Sequence, residues 1–310
     1  MSAALMPAAA AHAADEAEIG SESDQSAAAY FEQDFMNVFR RFLPDKTQEM
    51  VNFYTQVLGL KPLQPIQLNA EQTIILLGIG DSQIKLAAGH MEGRKYHLGG
   101  VGAATGIRYF TLFFPDAETL TQRFEEAGYA APQFTPIGGG KQAAFVADPA
   151  GFMLKLVIWS DADPAQYGKV RIGINASHLA ESRAFYRDFV GLEQESAELS
   201  PLLETMIYPY RHGATTLELF SIGHDLPADT GSAGIQYVVR DAAAVDALGK
   251  QRKITVETPL GKLPNFDLTF VWLNDPDGVT NYFAQIGPAR PKGADAPGPW
   301  QRTTPDQTRP

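Results

Sequence analysis

The stretch FYTQVLGL, Phe53–Leu60, returns as FYRDFVGL, Phe185–Leu192, 132 residues further along the chain. A second landmark follows each copy: FVADPAGFMLKLVIW from Phe145, and VWLNDPDGVTNYFAQIG from Val271. Phe53 to Asp148 spans 95 residues, and Phe185 to Asp275 spans 90. Two landmarks in one order at nearly one separation mark a tandem duplication. The copies cover residues 35–159 and 169–287, with SDADPAQYG, residues 160–168, as the linker.

Each copy has the same finer order. In the first, MNVFRRFL is apolar and strand-prone. Asp45 is then a candidate cap for a helix with Met50, Phe53, Tyr54 and Val57 at helical spacing, and Gly59 sits where a helix-ending glycine belongs. The strands TIILLGIG and SQIKLAAG follow, then a glycine-rich connection and the strand GIRYFTLFFPD. Asp116 opens a second helix, AETLTQRFEEAG, with Leu120, Phe124 and Ala127 on one face. Further strands run up to MLKLVIW. The second copy repeats this with the strand KVRIGINAS, the helix HLAESRAFYRDFVG, the strands TTLELFSIG and AGIQYVVRD, the helix AAAVDALGKQ and a closing hairpin. DPDG supplies that hairpin's tight turn, its proline fixing φ and its glycine accepting positive φ. Phe53 and Phe185 read as core residues that bury a helix face, not as active-site groups.

The 310 residues suit two domains, and 45% apolar with 20% charged is ordinary globular composition. A net charge of −11 argues against nucleic acid or an anionic membrane as partner, but not against a small anion held in a local pocket. With no cysteine, disulfides, thiolate metal sites and thiol nucleophiles are excluded. Residues 1–34 read either as a disordered Ala-rich leader or as the remnant of an export signal. AHA before Ala14 fits a small-x-small cleavage site, although the basic start is missing. The expected location is therefore periplasmic or secreted, with the cytoplasm as the alternative. No apolar run approaches the roughly 18 residues of a membrane-spanning helix. Residues 288–310 are rich in proline and polar residues and read as an irregular tail.

With FYxxxxGL and DPxG in register, the chain resembles the vicinal oxygen chelate superfamily of glyoxalases, bleomycin resistance proteins and extradiol dioxygenases. The resemblance covers residues 35–287. It implies an α+β fold of two tandem glyoxalase-like domains, made of paired βαβββ modules whose curled mixed sheets form open half-barrels. It also implies a cleft whose divalent metal is held by His, Gln or Glu from the first and last strand of each module. At those places this sequence offers Asn37 or Val38, Lys85 in QIKL, Tyr109 in GIRYF and Lys155 in DPAGFMLKL. Its second copy offers Arg171 in KVRIGI, Glu218 in TTLELF, Gly234 or Gln236, and Tyr282 in DPDGVTNYF. Ammonium groups cannot ligate a cation, and the six histidines lie in the leader, in connections, at a helix start or at turns. No metal and no other cofactor is expected.

If the family's register holds, Lys85 and Lys155 share one cleft, where each depresses the other's pKa and an anion relieves the strain. They could stabilise an oxyanion, act as a base or form a Schiff base, with Tyr109 as hydrogen-bond donor. These three are the candidate catalytic residues. Asn37, Arg108, Arg171, Glu218, Gln236 and Tyr282 are candidate substrate contacts. The competing reading has the lysines reaching solvent to pair with carboxylates such as Glu71 or Glu92, and Arg171 with Glu218 as a buried ion pair. The glycine-rich runs HMEGRKYHLGGVGAATG and TPIGGGKQ could be lids over the first cleft.

Whether the chain is an enzyme stays open. One reading is a metal-independent lyase or isomerase acting on a small anionic or aromatic metabolite. The alternative is a binding or sequestration protein without turnover. A metal-dependent glyoxalase or dioxygenase comes third. The expected partner is a small molecule, and the chain is a monomer or homodimer.

Overall fold

A computed structural model describes residues 25–69 and 72–291. The export-signal reading, Glu71 and nearly all of the irregular tail lie outside these residues. Of the stretch assigned to the leader, Ala27–Tyr30 is a 3-10 turn with Ala27 buried in the core.

Four βαβββ modules follow one another. The first has β1 (Asn37–Phe42), α1 (Thr47–Asn52), β2 (Lys61–Pro62), β3 (Ile66–Gln67), β4 (Thr73–Ile79) and β5 (Ser82–Ala88). The second has β6 (Gly106–Phe114), α2 (Ala117–Glu126), β7 (Thr135–Gly138), β8 (Lys141–Ala147) and β9 (Met153–Ile158). The third has β10 (Val170–Asn175), α3 (Leu179–Ala184), β11 (Glu193–Gln194), β12 (Glu198–Ser200), β13 (Thr205–His212) and β14 (Thr215–Phe220). The fourth has β15 (Ala233–Val238), α4 (Ala242–Gln251), β16 (Val256–Lys262), β17 (Leu268–Asn274) and β18 (Thr280–Ile286).

The repeated phrase is the end of a helix that widens. After α1 the chain continues as a π-helical turn over Phe53–Val57, and after α3 over Phe185–Val190. Gly59 and Gly191 end these turns at φ +74° and +87°, where a side chain would be strained. Asp45 makes no cap. Pro44 opens a 3-10 turn ahead of α1, and the first helical turn is tied instead by the Thr47 hydroxyl, which donates to the Pro44 carbonyl at 2.6 Å. Asp116 does cap α2, accepting from the Glu118 and Thr119 amides.

The two landmarks of each copy meet. Tyr54 donates to Asp148 at 3.2 Å, and Tyr186 donates to Asp275 at 3.0 Å. Each aspartate also holds its own turn. Asp148 accepts from the Ala150 and Phe152 amides, and Asp275 from those of Asp277 and Val279. Aromatic packing joins the modules of one copy as well, Phe53 against Phe124 and Phe189 against Phe283.

The sheets are built differently. One runs β16-β17-β18-β15-β1-β5-β4-β2, and the other β11-β13-β14-β10-β6-β9-β8-β7. Short β3 and β12 pair with β4 and β13 off these paths, giving two mixed nine-stranded sheets. The first sheet joins modules one and four through antiparallel β1 and β15. The second joins modules two and three through antiparallel β6 and β10. Each half-barrel therefore takes one module from each copy.

Alternation then sorts the side chains. Val38, Ile84, Leu86, Leu154, Ile172, Leu217 and Ile235 face one continuous core with the helices. Their neighbours Phe39, Lys85, Lys155, Gly173, Glu218 and Gln236 take the opposite, concave side of each sheet, the side of the clefts.

Candidate functional site: two unlike clefts

The first cleft lies in the sheet of modules one and four and encloses about 300 Å³. Its walls are apolar: Phe39, Ile74, Met91, Leu268, Phe270 and Trp272. Its floor is polar. The Lys85 ammonium donates to Gln236 Oε1, which also accepts from Asn37 Nδ2 at 3.4 Å. Asn37 Oδ1 in turn accepts from the Gln83 amide at 2.9 Å, so β5 holds the asparagine that supports the glutamine on β15. Tyr282 on β18 lies beside Gln236 in register and hydrogen-bonds to it. Burial lowers the Lys85 pKa to about 8 and pushes the Tyr282 phenol above its ordinary range. Arg41 completes the rim, stacked 5.2 Å from the Phe39 ring centroid and 5.9 Å from that of Trp272.

The second cleft lies in the sheet of modules two and three and encloses about 280 Å³. Glu218, only 1% exposed, anchors it. The carboxylate accepts from Tyr109 at 2.9 Å, Lys155 at 3.2 Å and Arg171 at 3.0 Å. Burial alone would raise its pKa. The charges of Lys155 and Arg171, with the hydrogen bonds from Arg171 and Tyr109, outweigh burial and hold it at about 2. Burial raises the Tyr109 phenol well above its usual value, and the Glu218 charge adds to this. Arg171 feels the opposite balance: burial opposes its charge, but Glu218 overrides that and raises its pKa.

An aromatic ring fills the seam of each cleft. A Cβ on Gly234 would meet the Phe39 ring at 2.0 Å, and one on Gly173 would meet the Tyr109 ring at 2.1 Å. These glycines are the partners of Phe39 and Tyr109 across the joint between modules.

The expectation that Lys85 and Lys155 share a cleft is corrected by this topology. Lys85 lies on β5 of one sheet and Lys155 on β9 of the other, because modules of one copy do not share a sheet. Asn37, Gln236 and Tyr282 gather with Lys85; Tyr109, Arg171 and Glu218 gather with Lys155. Arg108 joins neither group. It is the extra residue of a β-bulge in β6, and its guanidinium turns to the His97, Gly100 and Val101 carbonyls and to Asp229. The lid runs also divide. Met91 of the glycine-rich connection lines the first cleft, whereas Gly138 and Gly139 of TPIGGGKQ line the second. Sequence reasoning missed Phe39, Arg41 and Trp272 in the first cleft and Thr111 and Lys141 in the second. For the residues on β1 and β6 the signal existed, since Phe39 and Arg41 stand two and four places from Asn37, and Thr111 two from Tyr109, on the same strand face.

Comparison with known proteins agrees with this architecture. A model of the glyoxalase/bleomycin resistance protein/dioxygenase superfamily matches residues 42–156 and again 169–283. The chain belongs to this superfamily. A lactoylglutathione lyase from Arabidopsis thaliana is 23% identical over 242 residues, covering 74% of this chain and 83% of the relative. Glyoxalase I from Zea mays superposes with a TM-score of 0.62 at 20% identity, covering 81% of this chain and 92% of that one. A dioxygenase-like protein from Bacillus subtilis gives 0.55 at 16% identity, covering 82% and 85%. At these identities the structural likeness speaks for the fold.

The superfamily's divalent cation can be tested against the donors present. The first cleft offers an ammonium, an amide and a phenol. The second offers the Glu218 carboxylate, already bound by two cations and a phenol, and the exposed Glu198 at the rim. Among the described residues no group of three or more His, Cys, Asp or Glu could hold a metal. Neither set fits a divalent cation, because the Gln236 oxygen and the Glu218 carboxylate already accept from cationic side chains and the ammonium and phenols carry protons where a metal needs lone pairs.

Proposed function

We propose that the protein is a metal-independent glyoxalase-like enzyme whose first cleft takes a small aromatic molecule bearing an acidic oxygen, in a lyase or isomerase reaction. One observation carries the reading: Lys85, Gln236 and Tyr282 form a polar floor in a cavity otherwise walled by aromatic and aliphatic side chains. Apolar walls accept a ring, and the polar floor meets its acidic oxygen where little water competes for the contact. The lyase half of the reading is supported by the Arabidopsis relative, a lactoylglutathione lyase.

The chemistry follows from the floor. With a pKa of about 8, Lys85 divides between ammonium and amine near neutrality. As an amine it can take a proton from a carbon beside a carbonyl, the C–H electron pair moving onto the carbonyl oxygen. Tyr282, kept protonated by burial, can donate to that oxygen. Where the deprotonated carbon bears a hydroxyl, returning the proton to the former carbonyl carbon turns that hydroxyl into the new carbonyl and gives an isomer; where the next carbon carries a leaving group, the enolate re-forms its carbonyl and expels that group with its electron pair, giving a lyase product.

The mainly apolar lining favours a second reading, tight binding without turnover. Both are tested by incubating chelator-treated protein with a pool of small aromatic acids and following ligand retention and product by mass spectrometry. Retention with a new product, lost in Lys85→Met, supports the enzyme. Retention without product supports the binder. Retention and turnover unchanged in Lys85→Met defeat both.

A further inference from the structure

The second cleft carries a charge pattern that the reading of the first cleft does not use. Lys141, Lys155 and Arg171 line its cavity, against Glu218 beneath and Glu198 at the rim. Glu218 is already held by Tyr109, Lys155 and Arg171. Glu198 reaches Arg171 only at 3.8 Å, and its side chain is 60% exposed. Lys141 makes no ion pair among the described residues; its ammonium rests 4.0 Å from the Trp159 ring centroid. Burial, with the Arg171 and Lys155 charges, lowers its pKa. Thr111, in the cavity wall, is 1% exposed, and its hydroxyl makes no hydrogen bond among the described residues. A buried hydroxyl without a partner costs stability that a ligand can restore. The turn between β7 and β8 brings Gly138 and Gly139 to the mouth, and nothing stands within 4 Å of where their Cβ atoms would be.

We propose that the second cleft is a binding site for a small oxyanion, a carboxylate or a phosphate, held by Lys141, Arg171 and the Thr111 hydroxyl. The oxyanion supplies the charge the cluster lacks, since three cations face one saturated and one exposed carboxylate. Arg171 gives only one of its nitrogens to Glu218, which leaves donors for an oxyanion beside it. Lys155 contributes its field from the floor. The site shares no lining residue with the first cleft, so its occupancy is independent of the chemistry proposed there.

Isothermal titration of the full chain with inorganic phosphate, and separately with succinate, tests this. The expected result is saturable binding of at least one, weakened about tenfold or more in Lys141→Met and by a smaller factor in Thr111→Val. Lys85→Met, in the other cleft, keeps the wild-type affinity, so failure of the first-cleft reading is distinguishable. Phosphate binding alone assigns a phosphorylated ligand, and succinate binding alone a carboxylate. No saturable binding by either probe, or equal affinity in folded Lys141→Met and wild type, overturns the proposal. Circular dichroism checks the fold, and Lys141→Gln replaces the methionine variant if that one unfolds.

Discussion

Asp148 and Asp275 hold equivalent turns in different company. Asp148 pairs with Arg40 at 2.9 Å, both side chains being buried. Asp275 is pushed up to about 7 by burial, with the neighbouring Asp277 charge adding to it. Its folded-state pKa thus lies above its unfolded value, so the folded chain binds the extra proton. Stability from this group is present at low pH and lost as pH rises through about 7. Asp275→Asn keeps the acceptor for two backbone amides and should remove that loss. Urea unfolding should show the variant gaining on wild type as pH rises from about 4 to about 7 and holding that advantage above it. Arg40→Met should cost about 3–5 kcal/mol in the same assay, because it strands a buried carboxylate. Tyr54→Phe and Tyr186→Phe should each cost about 1–3 kcal/mol in the same assay, having lost a bond to a buried carboxylate. The repeated FY was legible because it is tied to a second recurring motif. The contact between tyrosine and aspartate was not, since the partners lie 94 and 89 residues apart.

At the scale of elements, the strand faces decide which side chains can act together. Alternation along β1, β5, β15 and β18 sends Asn37, Lys85, Gln236 and Tyr282 to one cleft, and the sequence placed all four on the right strands. It failed at Arg108, where a bulge in β6 breaks the period and no residue pattern announces it. There the side chain became a clamp on the glycine-rich connection. Arg108→Met should therefore lower stability by about 3–5 kcal/mol, leaving Asp229 buried beside unfilled carbonyls. A residue that only contacted substrate would lower affinity and leave the urea midpoint unchanged. The glycines facing Phe39 and Tyr109 are equally specific. Gly173→Ala should cost about 1–3 kcal/mol and drive the Tyr109 ring off Glu218, visible as a shift in the unfolding midpoint.

At the scale of the whole molecule, helices knit each copy while sheets knit the copies together. The duplication was plain from spacing alone. Which first strands would pair was not, because β1 meets β15 with Asn37 and its partner Gln236 199 residues apart, and hydrophobic period does not name a partner edge. That one choice separates Lys85 from Lys155 and gives one molecule an aromatic cleft and a cationic one. Residues 25–160 and 169–291 produced separately should each expose an open sheet edge at β1 and β6 or at β10 and β15. Sedimentation should find dimers or unfolded chains, and mixing should restore a one-to-one complex; two folded monomers would contradict the topology.

The most direct measurement of the functional account is turnover of an aromatic acid substrate, found by the mass-spectrometric screen, in chelator-treated wild type and Lys85→Met. The account predicts full activity after chelation and a loss of about tenfold or more in the variant. Activity that vanishes with the metal, or survives in Lys85→Met, would contradict it.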